Sequence, residues 1–226
     1  MAMQRFLIIL GAPGSGKGTQ CKVLAQNNPT WKHVSTGDLF RKEISSGSEQ
    51  GVELKKLLDA GQLVPDDTTM GVFESQVDQL ISSEKVDFLM LDGCIRTKAQ
   101  AKFLKELCER RSSEFKKPTI VELNVPEEVL VKRLTGRLIN PRNGRIYHII
   151  DNPPKVAGIC DEDGGPLVQR GDDKEDVIRK RFQIYRNERD PILEVLDEQN
   201  KLIVIDGNQD TSTVTQLLTE AIKKLA

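Results

Sequence analysis

The 226 residues exceed the roughly 150 of an average domain but do not make two, so one main domain carrying insertions is expected. Lys and Arg total 33 against 34 Asp and Glu, a formal net charge of −1, which excludes a bulk attraction to nucleic acid or to an anionic membrane. No apolar run approaches the roughly 18 residues of a spanning helix, and Cys21, Cys94, Cys108 and Cys160 are scattered without a C-x-x-C pair, so a soluble protein of a reducing, cytoplasmic compartment is expected.

In chain order, Phe6–Leu10 is short and continuously apolar, the signature of a parallel strand covered on both faces. A glycine-rich turn and a helical pattern follow it. His33–Ser35 is a weaker strand. Residues 37–68 read as short helices with no strand between them, closed by the turn Val64-Pro65-Asp66. Val86–Leu91 is a second apolar strand, and Leu104, Leu107, Cys108 and Arg111 then carry helical spacing. Thr119–Leu123 is a third strand, and a helix is predicted over 127–137. Residues 138–172 hold four of the ten prolines (Pro141, Pro153, Pro154, Pro166) and little periodicity, as in a functional insertion. Lys201–Ile205 is a final strand. Val214, Leu217, Leu218, Ala221, Ile222 and Leu225 predict a last helix with one buried face. Strand–helix alternation of this kind predicts an α/β fold, a doubly wound parallel sheet. The core is then residues 1–36, 69–137 and 173–226, with two insertions, 37–68 and 138–172.

The turn after the first strand reads Gly11-Ala-Pro-Gly14-Ser15-Gly16-Lys17-Gly18-Thr19. The spacing G-x-x-x-x-G-K between a strand and a helix is that of a phosphate-binding P-loop. Its glycines let backbone N–H groups converge on phosphate oxygens, and Lys17 reaches the β/γ-phosphates as a point charge. The general pattern places Ser or Thr directly after the lysine, whereas Gly18 intervenes here. Asp92, at the end of a parallel strand, is a candidate for holding Mg²⁺ through water. For Asp38, a similar part or an N-cap are both open.

Gly-Lys-Gly-Thr in place of Gly-Lys-Thr resembles the nucleoside monophosphate kinases, and the full string resembles the adenylate kinase family in its long form. The resemblance runs along nearly the whole chain: Ser35-Thr-Gly-Asp38-Leu-Phe-Arg41, Asp59-Ala-Gly-Gln-Leu-Val64, Leu91-Asp92-Gly93 with Arg96-Thr97 and Gln100, Gly136-Arg137 with Asn143-Gly-Arg-Ile-Tyr147-His148, and Arg170-Gly-Asp-Asp173 with Arg181. It implies a P-loop nucleoside triphosphatase core with two mobile insertions, a monophosphate-binding segment (37–68) and a lid (138–172). The implied reaction is reversible transfer of the terminal phosphoryl group of Mg-ATP to AMP, giving two ADP. A GTP:AMP phosphotransferase and a non-catalytic adenine-nucleotide sensor remain as alternatives.

The resemblance also implies residue roles. Lys17, Arg96, Arg133, Arg170 and Arg181 are the catalytic candidates. Gly14, Ser15, Gly16, Lys17, Gly18, Thr19, Arg137, Ile146, Tyr147 and Gln209 would bind ATP, with Arg137 stacked on its adenine. Thr36, Arg41, Gln62, Leu63, Val64, Gly93, Cys94, Ile95, Arg96, Gln100, Arg170 and Arg181 would bind AMP. Several cations from separate segments suit the chemistry, because phosphoryl transfer is mostly positioning and charge stabilisation. Arg142, Arg145, Arg179, Arg186 and Arg189 are expected on the solvated surface. The lid should hold no zinc: Leu138-Ile-Asn-Pro141 stands where some relatives carry a cysteine pair, leaving Cys160 alone. The family's D-G-F-P-R-T reads Asp92-Gly93-Cys94-Ile95-Arg96-Thr97. Loss of the proline predicts a looser loop and weaker monophosphate binding. Cys94 is expected to be a buried, inert thiol or else a reactive one beside Arg96. Nucleotides are the expected partners, with no nucleic acid or membrane, and a monomer is expected.

Overall fold

The computed structural model describes residues 4–197 and 202–225. The apolar runs become five strands in one sheet: β1 (Arg5–Leu10), β2 (Trp31–Ser35), β3 (Phe88–Asp92), β4 (Thr119–Asn124) and β7 (Ile203–Asp206). Their order is β2-β3-β1-β4-β7, and every pairing is parallel. Alternation along β1 divides the core. Phe6, Ile8 and Leu10 pack on one face with α4 (Asp66–Ser83), α5 (Lys98–Arg110) and part of α7 (Glu175–Leu196). Leu7 and Ile9 pack on the other with α1 (Lys17–Asn27) and α8 (Thr211–Leu225). The sheet is therefore doubly wound.

Several boundaries differ from the sequence reading. β3 begins at Phe88, whose pairing with Arg5 opens the ladder, two residues later than expected. β2 is longer than expected, reaching back to Trp31. The predicted start of the last strand, Lys201, lies outside the described residues, as does the side chain of Leu225. On α8, Val214, Leu218, Ala221 and Ile222 are buried, whereas Leu217 is 39% exposed and stands off the buried face.

The helix predicted over 127–137 is shorter. It is α6 (Glu127–Thr135), and Arg137 instead opens the short strand β5 (Arg137–Ile139), antiparallel to β6 (Ile146–His148). Gly136 is the reason. A side chain there would collide with the His148 imidazole, so the chain turns where β6 packs against it. Arg133 and Arg137 thus do not share a helix face.

Between β2 and α4 lie α2 (Thr36–Ser46) and α3 (Glu49–Asp59). Ser35 caps α2, its Oγ accepting from the Asp38 backbone N–H at 3.3 Å, so Asp38 is not the N-cap. Phe40, Leu54 and Val64 form a small apolar cluster of their own, with Ile44, Leu58 and Val72 against it. Residues 138–172 carry β5, β6 and isolated bridges from Ile139 to Val168 and from Ile159 to Pro166. Asn140 and Asn143 donate there to Asp163 Oδ1 (2.6 Å) and Cys160 Sγ (3.7 Å).

Phe73 is fully buried between α4 and β1, with its ring centroid 6.1 Å from that of Phe6. Truncating it leaves a cavity in the largest cluster. Phe73→Ala should destabilise the protein by about 3–5 kcal/mol in a urea titration, with the slope unchanged.

Candidate active site

In this strand order the connections leave β1 and β3 in opposite directions, and such a switch point is where open α/β sheets bind ligands. The turns after both strands meet there, because Asp92 is paired in register with Ile9. A cleft of about 720 Å³ opens above them, within the usual range for small-molecule sites. Nine lysines and arginines line it against six aspartates and glutamates, a local excess of positive charge in a chain whose formal net charge is −1.

The loop Gly11–Gly16 forms one wall. Gly16, with φ 97°, precedes α1, and no side chain among the described residues caps that helix. Its first N–H groups point outward with the positive end of the helix dipole. Lys17 Nζ donates to Gly11 O (2.7 Å) and Ala12 O (3.1 Å). Burial pulls the Lys17 ammonium down to about 8, against the raising effect of Asp92. Gly18 explains the departure from the general loop pattern. A Cβ there would stand 2.9 Å from Asp92 Oδ2, so glycine lets the carboxylate come up against the helix start. Burial pushes the Asp92 carboxyl up, but hydrogen bonding to His33 (3.3 Å) and the Lys17 charge outweigh it and hold it below its ordinary value.

Six arginines enter from further segments. Arg41 on α2 pairs with Asp38 at 2.5 Å. Arg96, after β3, donates through Nε to Gly93 O at 2.8 Å. Arg133 on α6 reaches Gly207 O at 3.1 Å. Arg137 forks onto the fully buried Asp173 at 2.8 and 2.6 Å. Arg181 on α7 pairs with Asp172 at 3.0 Å and donates to its backbone oxygen at 2.9 Å. Arg170 differs, because its Nε is buried with no hydrogen-bond partner among the described residues. Burial, and then the charges of Arg137 and Arg41, bring Arg170 down to about 9. Burial also lowers Arg96 and Arg181. A dianionic or polyanionic ligand would relieve all three.

The cleft brings together Gly14 to Thr19, Thr36, Arg41, Gln62 to Val64, Asp92, Gly93, Ile95, Arg96, Gln100, Arg133, Arg137, Ile146, Tyr147, Arg170, Arg181 and Gln209. Cys94 does not line it. Its side chain is 0% exposed within the core and lies 3.2 Å from Val34 O. Burial pushes its thiol up to about 12, so it is the inert thiol of the two expected. Two hydrogen bonds brace the loop. Arg96 N donates to Gln100 Oε1 at 2.7 Å, and Thr36 Oγ1 donates to Gly93 O at 3.1 Å, which holds the turn without proline.

Sequence reasoning singled out Asp92 and Asp38 but missed the other carboxylates that organise these cations. Asp172 and Asp173 sit in a motif read for its arginine. Arg189, expected on the surface, forks onto Glu122 at 2.6 and 2.6 Å, and Tyr185 donates to the same carboxylate at 2.6 Å. The signal was an acid inside the apolar run Thr119–Leu123, with Tyr185 and Arg189 four apart on one helix face. Arg145, Arg179 and Arg186 make exposed pairs with Glu162, Glu175 and Glu127, as surface residues do.

A parallel sheet with a glycine loop and converging arginines at its switch point defines a P-loop nucleotide-phosphate fold. The adenylate kinase family profile matches residues 9–201. Proteins named adenylate kinase are similar over nearly the whole chain. That of Staphylococcus aureus (strain Mu50) is 41% identical over 210 residues, covering 93% of this chain and 95% of its own length. That of Chloroherpeton thalassium is 39% identical over 221 residues, covering 96% and 99%. That of Shouchella clausii is 38% identical over 208 residues, covering 92% and 93%. The chain belongs to the adenylate kinase family, a family of transferases. No helix among the described residues is long and apolar enough to cross a membrane.

Cys21 and Cys94 are both buried, and burial raises both thiols. Neither should be alkylated by iodoacetamide at pH 8 in the native protein, by peptide mass mapping, while both should react in urea.

Proposed function

We propose that this chain transfers the terminal phosphoryl group of ATP reversibly to AMP, giving two ADP. The observation that carries the reading is Arg170, whose buried Nε has no hydrogen-bond partner among the described residues and whose charge stands beside those of Arg137 and Arg41, which Asp172 and Asp173 only partly offset. Such a buried group is costly without a further anion, and one cleft of about 720 Å³ is lined by both the candidate donor and the candidate acceptor residues.

In this reading Gly14 to Thr19 cradle the ATP phosphates, and Lys17 leaves the loop carbonyls for the β/γ-phosphates. Ile146, Tyr147 and Gln209 border the donor base, which Arg137 covers. Thr36, Gln62 to Val64, Ile95 and Gln100 enclose the acceptor base. Gly93 lets the chain pass close to the acceptor phosphate, which Arg41 and Arg96 hold. An oxygen of that phosphate attacks the γ-phosphorus in line, and the ADP oxygen leaves on the opposite side. Arg133, Arg170 and Arg181 offset charge on the moving group. Residues 37–68 and 138–172 close over the pair and exclude water, a role supported by the separate apolar cluster of the first and the separate small sheet of the second.

Asp92 suits Mg²⁺ held through water, because it is an ionised oxygen donor beside the phosphate loop. The ion would neutralise charge on the β- and γ-phosphates. A non-catalytic sensor rested on the Cys94-Ile95 change, which leaves Arg96 anchored.

Initial rates with Mg-ATP against AMP, UMP, CMP and GMP, repeated with Mg-GTP, test the reading. AMP with ATP should be the productive pair, and ATP binding without turnover on any acceptor would overturn the proposal. Lys17→Ala should lower kcat by about 10²–10³-fold, the loss expected for one transition-state charge contact. Lys17 in the empty site loses its proton as pH rises through about 8. Because only the ammonium attracts phosphate, kcat/KM for ATP should fall above that pH. The fall in kcat should lie at higher pH, since bound phosphate holds the proton on.

A further inference from the structure

Asp66 opens α4, where an acid suits the helix dipole. Its carboxylate does more than that. Oδ1 accepts from Gln100 Nε2 at 2.8 Å and from Thr97 Oγ1 at 3.0 Å, reaching from the start of α4 to the start of α5. Gln100 is only 2% exposed and is one of the residues lining the cleft, as Phe40, Val64 and Ile95 are. On its other side, Oε1 accepts from the Arg96 backbone N–H at 2.7 Å.

These two partners leave the amide one orientation. A carboxylate only accepts and a backbone N–H only donates. Turning the amide over would face oxygen to carboxylate and NH₂ to N–H, losing two hydrogen bonds in a buried place. In the permitted orientation Nε2 keeps a second hydrogen and Oε1 a second lone pair. That pair matches a base edge carrying an amino donor beside a ring-nitrogen acceptor, as adenine does. A 6-oxopurine carries an acceptor where adenine carries the donor, and it would need the amide reversed.

We infer that Asp66, with the Arg96 backbone N–H, locks Gln100 in the orientation that admits a 6-aminopurine and rejects a 6-oxopurine. Asp66 touches no reacting atom and is a positioning residue for specificity. The inference rests on the reading of this pocket as the acceptor-base site.

The test compares AMP with inosine monophosphate, which differs from it only on the purine, carrying a 6-oxo group for the 6-amino group. Both are measured as acceptors in the unaltered enzyme and in Asp66→Asn, Asp66→Ser, Gln100→Leu and Asp66→Asn/Gln100→Leu. An amide or hydroxyl at position 66 both donates and accepts, so it removes one of the two constraints and leaves only the Arg96 backbone N–H opposing the reversed amide. The AMP-to-inosine-monophosphate ratio of kcat/KM should fall about tenfold in Asp66→Asn, through KM and with kcat for AMP near the unaltered value. Asp66→Ser should behave alike, and it carries the test should Asp66→Asn melt early. In the Gln100→Leu background the Asp66 substitution should leave the ratio unchanged. Equal loss on both acceptors, or a fall in the ratio that persists without Gln100, would overturn the lock and leave Asp66 a structural link. An unaltered enzyme that phosphorylates neither would overturn the acceptor assignment itself.

Discussion

Lys17, Arg96, Arg170 and Arg181 come from four parts of the chain and meet in one cleft, where burial works against the charge of each. Cations gathered this way repel one another and lose hydration, so they stay together only if something opposes both costs. Buried carboxylates do so in part. Asp92 faces Lys17, Asp172 faces Arg181, and Asp173 holds Arg137 in a fork. Burial pushes the Asp172 carboxyl up, yet the charges of Arg181, Arg137 and Arg170 hold it below its ordinary value. The carboxylates answer some of the cations and leave the Arg170 Nε without a partner. The remaining imbalance is what a phosphate chain would correct.

The sheet makes this arrangement possible. The Ile9–Asp92 register sets the acid one strand away from the phosphate loop, and Gly18 removes the side chain that would keep them apart. α7 is anchored to β4 through Glu122, which takes both Tyr185 and Arg189, and it carries Arg181 on that same helical face. A rigid core thereby fixes Lys17, Asp92 and Arg181. Arg41 and Arg137 sit on the short helices and the small sheet outside it.

Much of this was legible in the sequence, for physical reasons. Continuous apolar runs fixed the strands, because a sheet covered on both faces leaves no polar positions in them, and the glycine loop announced the phosphate site by its own spacing. Boundaries were less legible. Arg137 looked helical by spacing to Arg133, but the end of α6 is set by His148, twelve residues beyond Gly136 in sequence and in contact with it in space. Carboxylates were the other gap. An arginine matched to a motif names a role, while the acid holding it can stand anywhere in the chain, as Asp66 does for Gln100 and Glu122 for Arg189. Cys94 shows the same limit in reverse: its position beside Arg96 suggested the cleft, and the pleat of the turn sends it into the core.

With so many cations in the cleft, phosphate charge, more than either base, should supply most of its affinity. Competitive displacement of a fluorescent ATP analogue by ATP, tripolyphosphate and adenosine tests it most directly. Tripolyphosphate should displace the probe nearly as well as ATP, adenosine should be far weaker, and both polyphosphates should lose potency as salt is raised. Displacement by adenosine at ATP-like concentrations, with tripolyphosphate inert, would contradict it.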